Sequence, residues 1–465
     1  MLFAITPIIT LLRMSKDYRL MKRRNIVIRR MLFLILVLFY STMAAQSQQA
    51  SNSLLERRTL QNCIRYALVH QPLVQESLVD EKIAERTIQG KLADWFPQLN
   101  LNFNVQHNPQ IPVAIVGGVP LNQGLANNSN IQFTATQTLF NKDVLFASTS
   151  ASDVRTFAKQ RTLSTKIDVV VNVSNAYYAT LVTIQQIKLL DEAILRLEQS
   201  SKDAYTKYQG GIVDKTDYMR AQIALNNANA GRQQAGEFLK ARIANLKEQM
   251  GYPDAARLEL DYDSTQMERE AFFDTSRSVN YDNRIEVQLL QTQMRLQEDN
   301  LNYYKWSFIP SLSLYGGYTI NYQNSFIDPL YNQRYPYSFV GLELSFPLFE
   351  GGKRIQQIKQ AKLQLDRVDY DVLLLENSIN TQYALALANY KSNLNNYKVL
   401  SDNLQLAQDV YRTIQLQYKA GTKSYLEFIT AETDLRSAQV NQTNAMYQLL
   451  VSKLDMQKAL GTISY

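Results

Sequence analysis

Residues that build catalytic and metal sites are rare in this sequence. Its 465 residues include one cysteine, Cys63, and two histidines, His70 and His107, which lie far apart. A single thiol forms neither an internal disulfide nor a metal site, and isolated histidines make no catalytic or metal-binding cluster. The composition therefore argues against an enzyme, and we expect no cofactor and no bound metal.

Glycine and proline are also scarce, at 16 and 11 residues. Both interrupt helices, so their scarcity in a chain of this length predicts long, uninterrupted helices. Long hydrophobic runs are missing as well. After the N-terminal region, no segment approaches the roughly 18 consecutive apolar residues that a membrane-spanning helix needs. We therefore expect no transmembrane helix in the mature chain.

The basic charge is concentrated at the N-terminus. The formal net charge is +7, but residues 1–45 hold eight Lys or Arg and one acid, and the remaining chain is balanced. No basic footprint for nucleic acid is left. The basic stretch KRRNIVIRR, the apolar run MLFLILVLFY and the small residues STMAAQ predict a secretory signal peptide, cleaved after Ala45. A membrane anchor is the alternative, but the apolar run is short for one. Met21 or Met31 opens a more typical leader than the first residue does.

The chain repeats itself at a spacing of 210 residues. This spacing separates Gly211 from Gly421, and Gly251 from Gly461. WFPQLNL corresponds to FIPSLSLYG, and YQGGIVDKTDY corresponds to YKAGTKSYLEF. A repeat of this length exceeds a solenoid unit and indicates duplication of a half-protein. The predicted division is a signal peptide (1–45), a first repeat (46–251), a linker (252–280) and a second repeat (281–465).

Each repeat shows the same order of predicted elements: a helix, a β-hairpin around a turn-rich loop, a long helix and a shorter helix. In the first repeat these lie at 59–93, 98–107 with 130–140, 143–208 and 213–250. In the second they lie at 281–306, 311–321 with 337–348, 352–418 and 423–460.

The two long helices are too long for a compact domain. About 66 residues at 1.5 Å each extend about 100 Å. Two adjacent apolar seams run along the first of them with spacings of 3 and 4, which is typical of a coiled coil. A helix with two seams packs on both sides and can form the wall of a tube; a wide apolar face in a bundle is the alternative. The seams are Val173, Ala176, Thr180, Thr183, Ile187 and Leu190, and Ile167, Val170, Ser174, Tyr177, Leu181 and Ile184.

The predicted strands alternate between apolar and polar residues, which gives each strand one apolar and one polar face. Segments of about 10 residues suit a tilted strand that crosses a bilayer. A half-buried soluble sheet gives the same alternation, but the export leader, the duplication and the long helices favour a membrane barrel. Four strands cannot close a barrel, and hydrocarbon does not tolerate open edges, so several chains must contribute. The predicted lipid-facing residues are Leu99, Leu101, Phe103, Val105, Leu312, Leu314, Val340, Leu342, Leu344 and Phe346.

Two polar features accompany these strands. The amides of Asn100, Asn102, Asn104 and Gln106 are expected to face water. Six tyrosines near the strand ends suggest the aromatic girdles found at membrane interfaces. They are Tyr315, Tyr318, Tyr322, Tyr331, Tyr335 and Tyr337.

Residues 56–463 resemble the TolC-like outer-membrane efflux protein family (outer membrane factors). The paired turns, the paired Pro-headed strands and ALGT near the C-terminus carry the resemblance. It implies a mainly α fold with transmembrane β: a homotrimeric 12-stranded outer-membrane β-barrel, four strands per chain, continuous with a long periplasmic α-helical barrel. It also implies an exit duct of a tripartite efflux or type I secretion system. Its partners would be a periplasmic adaptor (membrane-fusion) protein, an inner-membrane pump of RND or ABC type, and outer-membrane lipid.

The resemblance implies a gate at the tips of the two helical hairpins, where hydrogen bonds and ion pairs between the hairpins hold the tunnel closed. At the first tip, the family's Thr–Asp pair matches Thr216 and Asp217. At the second tip, the tyrosine and the basic residue that pair with it match Tyr418 and Lys423. One acidic residue of the family, near the constriction, matches Glu427. A second acidic position of the family, one helical turn further on, is Thr430 in this chain. The family often has arginine at the position of Lys423. Lysine keeps the positive charge but lacks the planar guanidinium group, which predicts a weaker contact between the hairpins. The implied adaptor-docking residues are Gly210, Gly211, Ile212, Val213, Ala420, Gly421 and Thr422.

Three alternatives stand beside this interpretation. A solvated helix tip with ordinary caps would also account for the tip residues. A trimeric, surface-anchored structural or adhesive stalk would share the long helices and the export, but not the amphipathic hairpins. A soluble periplasmic adaptor usually carries one helical hairpin between β-rich domains, whereas this chain has two hairpins in tandem.

Overall fold

The computed structural model describes residues 59–260, 264–276 and 278–464. The predicted signal peptide lies outside these residues. Eight α-helices form most of the described chain: α1 Leu60–His70, α2 Pro72–Leu92, α3 Lys142–Gln209, α4 Lys215–Met250, α5 Ser264–Ala271, α6 Ile285–Lys305, α7 Lys353–Lys419 and α8 Tyr425–Leu460.

The ends of these helices follow local sequence signals. Thr59 caps α1, Asn141 caps α3, and Ser424 caps α8, each by accepting a backbone N–H with its side chain. At the other end, Gly251 terminates α4 and Gly461 terminates α8, both in the left-handed conformation. The predicted helix at 59–93 is wrong at one point, because Gln71 is extended, with ψ of 123°. The following Pro72 cannot continue the hydrogen bonding of α1 and disfavours a helical conformation before it.

The long helices match the predicted length. α3 has 68 residues and α7 has 67, or about 100 Å each. Both predicted seams of α3 are buried or partly buried, because α1, α2, α4, α6 and α8 all pack against it. A window of α3 has the length and composition of a membrane-spanning helix, but 72% of that window is buried inside the chain. It therefore serves as core.

Six strands of the described residues form two antiparallel sheets. The strands are β1 Gln98–His107, β2 Val113–Val116, β3 Val119–Asn122, β4 Asn127–Phe140, β5 Ser311–Asn324 and β6 Arg334–Ser345. The main sheet has the order β1-β4-β5-β6. The turn-rich loop predicted at 108–129 instead contains the separate hairpin β2–β3, reversed at Gly117 and Gly118 with φ of 61° and 83°. Two positive-φ residues suit a tight hairpin turn. β6 starts and ends three residues earlier than predicted, so Phe346 lies just beyond it.

Side-chain contacts fix the sheet to the helices at the strand ends. Arg354 near the start of α7 donates to the carbonyl oxygen of Ser307 at 3.2 Å and to that of Pro347. The indole of Trp95 donates to Ser148 of α3 at 3.1 Å. The sheet and the long helices therefore form a connected unit.

The linker predicted at 252–280 contains α5, which the sequence did not indicate. The hydroxyl of Tyr390 on α7 bridges its end, accepting from the backbone N–H of Phe273 at 2.7 Å and donating to the carbonyl of Ala271 at 3.2 Å. The linker is thus packed against the second repeat.

Candidate channel wall and hairpin tips

The main sheet presents one apolar face to the outside. Its register places Leu101 opposite Phe133 and Phe133 opposite Tyr318, so the apolar positions of all four strands share one face. Leu99 is 79% exposed and Val340 is 80% exposed. A contiguous apolar face of this kind marks a membrane or protein contact. All the predicted lipid-facing residues in the strands lie on it; Phe346 is exposed beside it.

The opposite face is polar and almost without charge. Asn100 faces Thr134, Asn102 faces Gln132, and Asn104 faces Asn130. The sequence holds no Asp, Glu, Lys or Arg between Asp94 and Lys142. In the four strands of this sheet the charged residues are Arg334 and Glu343, and Glu343 is the one on the polar face. This face interacts with water through amide and hydroxyl groups rather than through charges.

Three of the six tyrosines expected in a girdle lie on this polar face, whereas Tyr318 and Tyr322 lie on the apolar face. The strand register puts Tyr315, Tyr335 and Tyr337 on the polar face, together with Phe339. For Tyr315 and Phe339 the physical reason is a glycine on the neighbouring strand. A Cβ on Gly317 would lie 2.7 Å from the Phe339 ring, and one on Gly341 would lie 2.7 Å from the Tyr315 ring. The rings therefore cover the bare backbone of the adjacent strand.

The main sheet is open at both edges. β1 and β6 stand at its two ends, and each pairs with one neighbour among the described strands. Unpaired backbone groups are not tolerated in hydrocarbon. The four strands therefore require further strands from outside this chain if the apolar face contacts lipid.

Each pair of long helices reverses through the same kind of turn. The first hairpin, α3 with α4, turns at Gly211 with φ of 70°; the second, α7 with α8, turns at Gly421 with φ of 77°. In both, the residue after the glycine donates its N–H back to the helix: Ile212 to Lys207 at 2.9 Å, and Thr422 to Gln417 at 3.0 Å. Of the predicted docking residues, Val213 is partly buried and the rest are exposed: Gly210, Gly211, Ile212, Ala420, Gly421 and Thr422.

At the second tip, Lys423 and Glu427 are paired within their own hairpin. The ammonium of Lys423 lies 2.6 Å from Glu427 Oε1. Glu427 also accepts the Ser424 backbone N–H at 2.9 Å, while its own N–H donates to Ser424 Oγ at 3.3 Å, which is a capping box. Hydrogen bonds from Lys423 and Ser424 lower the pKa of Glu427 to about 2. Within one chain Lys423 therefore pairs with its own helix, and its pairing with the first hairpin stays a prediction.

The remaining gate candidates occupy separate environments. Thr216 is exposed, and Asp217 lies in the first turn of α4, where a negative charge suits the helix dipole. Thr430 donates to the Leu426 carbonyl of its own helix at 2.8 Å. Tyr418 stacks on Phe428 with ring centroids 5.1 Å apart. The structure therefore does not bring the six candidates into one bonded cluster.

The sequence-based prediction missed an aromatic cluster between the two hairpins near their tips. Its buried members are Ala204, Ala221, Tyr425 and Phe428. Lys207 of the first hairpin lies over the ring of Tyr418 at 4.3 Å. The available signal was the density of tyrosine in both tip segments. Partly buried side chains around the cluster are Tyr218, Tyr411, Ile414, Tyr418 and Ile429.

The sequence profile of the outer membrane efflux protein family matches residues 63–252 and 282–462, which is most of the chain. The chain belongs to the outer membrane efflux protein family. The predicted resemblance is thereby confirmed.

Individual relatives of this outer membrane efflux protein are distant in sequence but match over most of its length. It is 22% identical to the outer membrane protein TolC of Salmonella enteritidis over 431 residues, 89% of this chain and 84% of that protein. It is 23% identical to the alkaline protease secretion protein AprF of Pseudomonas aeruginosa over 301 residues, 63% of this chain and 61% of that one. The open-state MtrE outer membrane channel of Neisseria gonorrhoeae superposes with a TM-score of 0.69 at 17% identity, covering 86% of this chain and 88% of that chain.

Membership of the outer membrane efflux protein family decides the class of function. The protein is an outer-membrane channel that extends into the periplasm, with a helical barrel joined to a β-barrel, as predicted. The stalk without transport is not supported. The family consists of channel proteins rather than enzymes.

Proposed function

We propose that the chain is one third of a trimeric exit duct that passively passes substrates delivered by a pump and an adaptor. The observation that carries this proposal is the main sheet, which has one exposed apolar face, one polar face and two open edges. Three copies of four strands give a closed barrel of twelve, with no edge left in hydrocarbon. Closed point-group symmetry is the usual way for identical chains to satisfy such edges.

In this barrel the apolar face contacts lipid and the polar face lines a water-filled lumen. Leu101 and Phe103 would meet acyl chains, while Asn102 and Asn104 would meet water. Because Glu343 is the one charged side chain on the polar face of the described strands, the barrel wall exerts little selection by charge. Such a wall suits many cargoes, whose choice then belongs to the pump.

The hairpin tips are the proposed contact with the periplasmic adaptor. Both turns are exposed and nearly identical in backbone geometry, so one repeating partner surface can engage both. Relatives include an efflux pump component, the probable TtgC of Pseudomonas putida, and the secretion protein AprF. The proposed inner-membrane pump, of RND or ABC type, therefore serves either efflux or secretion.

The gate is proposed at the same tips, around Thr216, Asp217, Tyr418, Lys423 and Glu427. Threefold symmetry would place each tip charge three times around the axis. Since Lys423 neutralises Glu427 within each chain and the next position, Thr430, carries no charge, the entrance has a weak acidic ring. We expect weaker cation selectivity than two unpaired acidic rings would give.

Planar-bilayer recording on the protein extracted from outer membranes tests both the proposed duct and the proposed gate residues. The duct predicts a cross-linkable trimer with a small resting conductance. Thr216→Ala, Asp217→Ala or Lys423→Glu should raise the conductance, whereas Lys240→Glu, which breaks an exposed pair on α4, should not. A monomer without channel activity would overturn the duct. A trimeric channel whose conductance none of the three tip changes alters would overturn the gate residues alone.

A further inference from the structure

A groove lies between the two helical hairpins, over the middle of α3. It is open to solvent and has a volume of about 660 Å³, and side chains of α3, α4 and α8 line it. Its floor is α3, because α3 packs against both of the other helices, and its two sides are α4 and α8. A groove of this volume accommodates a small organic molecule.

The floor and both sides of the groove carry apolar surface. Leu190 contributes from α3, Phe238 from α4 and Val440 from α8. The Phe238 side chain is 58% exposed, and a large aromatic ring left in solvent is available to a ligand. Gly231 of α4 adds no side chain at this level, where a Cβ would lie 3.8 Å from Leu190 Cδ2. The space above Leu190 therefore stays open.

Two arginines, one on each side, give the groove a positive charge. Arg242 lies on α4 and Arg436 on α8, and no Asp or Glu lines the groove. Among the described residues, neither guanidinium group has an ion-pair partner. The charge of both arginines is therefore available to an anion. The two acids that adjoin lining residues in the chain already have partners: Asp191 pairs with Arg232 at 3.0 Å, and Glu237 with Lys240 at 2.9 Å.

The groove lies on the same side of α8 as the proposed gate residues. In a left-handed coiled coil, residues seven apart share a face. Asn441, which lines the groove, is 14 residues beyond Glu427, and Ser437 is seven beyond Thr430. Fourteen residues at 1.5 Å each put the groove about 20 Å from the second tip along α8. In the proposed duct the groove therefore opens into the tunnel, between the tips and the barrel.

The opposite side of α3 is covered by α5. Met267 of α5 lines a separate cavity together with Leu181 of α3 and Gln442 of α8. Leu181 and Leu190 are nine residues apart, or about 2.5 helical turns, which puts them on opposite sides of α3. The linker helix and the groove therefore lie on different faces of the paired hairpins.

We propose that the groove binds amphipathic organic anions, molecules with an apolar ring system and one carboxylate or sulfonate group, as they pass through the tunnel. The ring system packs on Leu190, Phe238 and Val440. The anionic group accepts charge-assisted hydrogen bonds from Arg242 and Arg436, whose planar guanidinium groups suit carboxylate and sulfonate oxygens. The route of the ligand rests on the proposed duct, whereas the groove itself is formed within one chain.

Binding in this groove is weak and reversible, which suits a molecule in transit. Arg242 is exposed and Arg436 is partly buried, so both guanidinium groups keep water and their ion pairs with a ligand are screened. A trimer would carry three such grooves around its axis. Together they would concentrate anions in a tunnel whose barrel wall is nearly uncharged.

Calorimetric titration of the purified full-length protein in lipid nanodiscs tests the site, with empty nanodiscs as the blank. The probe is naphthalene-2-sulfonate, which should bind once per chain. The uncharged naphthalene-2-sulfonamide should bind about tenfold more weakly, because it lacks the charge that meets the two arginines. Equal affinities for the two compounds would overturn the inference.

Substitution of the arginines tests the charge of the groove. Arg242→Gln and Arg436→Gln should each weaken binding of the sulfonate about tenfold and leave binding of the sulfonamide unchanged. Arg232→Gln is the matched control, since Arg232 lies on the same helix, is exposed, and pairs with Asp191 outside the groove. It should bind both compounds as the wild type does. Wild-type affinity of Arg242→Gln for the sulfonate would show that the inference is wrong.

Gly231 tests the shape of the groove without a change of charge. Gly231→Ala adds an ordinary contact with Leu190 and should keep the sulfonate bound. Gly231→Leu extends a longer side chain over the same floor and should weaken binding about tenfold or more, although leucine favours the helix. If Gly231→Leu binds the sulfonate as tightly as the wild type, the ligand lies elsewhere and the assignment fails.

Planar-bilayer recording separates the site from the route. In a KCl gradient, saturating naphthalene-2-sulfonate should shift the reversal potential toward cation selectivity, because the bound anions offset the arginine charge. Arg242→Gln should show a smaller shift. If the wild-type protein forms no channel, the proposed duct is wrong, while the titrations still decide whether the groove binds anions. If it forms a channel and binds the sulfonate without any shift, the groove lies outside the tunnel and the inference is wrong.

Discussion

Gly251 and Gly461 occupy equivalent positions in the two repeats and meet the same constraint. Each ends a helix in the left-handed conformation, with φ of 66° and 67°. A Cβ on Gly251 would lie 2.7 Å from the carbonyl oxygen of His70, and one on Gly461 would lie 2.7 Å from that of Asn283. In each repeat the end of the last helix therefore packs closely against the residues that precede an earlier helix. That helix is α2 in the first repeat and α6 in the second.

Alanine at either glycine should destabilise the fold by similar amounts. We expect about 2–4 kcal/mol for Gly251→Ala and Gly461→Ala, from left-handed strain and a backbone clash together. Denaturant unfolding in detergent measures this loss. Gly421→Ala is the control, because its φ is 77° but nothing lies within 4 Å of the added Cβ. It should cost strain alone, about 1–2 kcal/mol. Equal losses at all three positions would contradict the role of the backbone contact.

The low pKa of Glu427 predicts how the second tip responds to acid. Because the folded-state pKa lies near 2, below the unfolded value of about 4.3, the stabilisation is complete above pH 4.3 and is lost as the pH falls toward 2. Amide exchange over residues 421–430, corrected for intrinsic rates, should keep its protection at pH 4.5 and lose it near pH 2. Glu427→Ala should lose it at every pH. The first tip offers the comparison, since its N-cap Asp214 makes no side-chain cap hydrogen bond.

Neighbouring residues of β1 should respond oppositely to a positive charge. Leu101 lies on the apolar face and Asn102 on the polar face. Arginine on a lipid face costs about 2–4 kcal/mol near the bilayer centre, whereas a lumen position stays hydrated. Leu101→Arg should therefore reduce folding into lipid vesicles, measured by urea titration, and Asn102→Arg should not. The reverse order would invert the assignment of the two faces.

The contacts between aromatic rings and glycines in the main sheet predict that Gly317 and Gly341 tolerate substitution poorly. Gly317→Ala and Gly341→Ala force the Phe339 and Tyr315 rings to move, and we expect a loss of about 1–3 kcal/mol each. The temperature at which the proposed trimer dissociates in SDS reports this loss. Gly236→Ala lies inside helix α4 with nothing within 4 Å of the added Cβ, and should leave stability equal or raise it by up to about 1 kcal/mol. A stable Gly317→Ala trimer would show that the rings are free to shift.

Much of the fold was predictable because its signals are local. The strand β1 was predicted at its observed bounds, since strict alternation over ten residues leaves one pattern. The long helices were predicted to within a residue or two, because glycine turns and caps mark their ends. Pro72 carried a comparable local signal, and its effect on Gln71 was overlooked. The helix α5 and the hairpin β2–β3 had no clear period and were missed.

The candidate site, like the fold, was predictable from sequence only where its signals are local. The sequence alone determined which strand positions are apolar, where the hairpins reverse, and which charged residues lie near the tips. The tertiary structure decided the partners. Glu427, three residues from its N-cap, folds back onto its own helix, whereas Glu432 reaches Arg196 across 236 residues of sequence. No local pattern encodes the second pairing, because it exists only where antiparallel packing brings α8 against α3 and buries the Glu432 carboxylate beside Arg196.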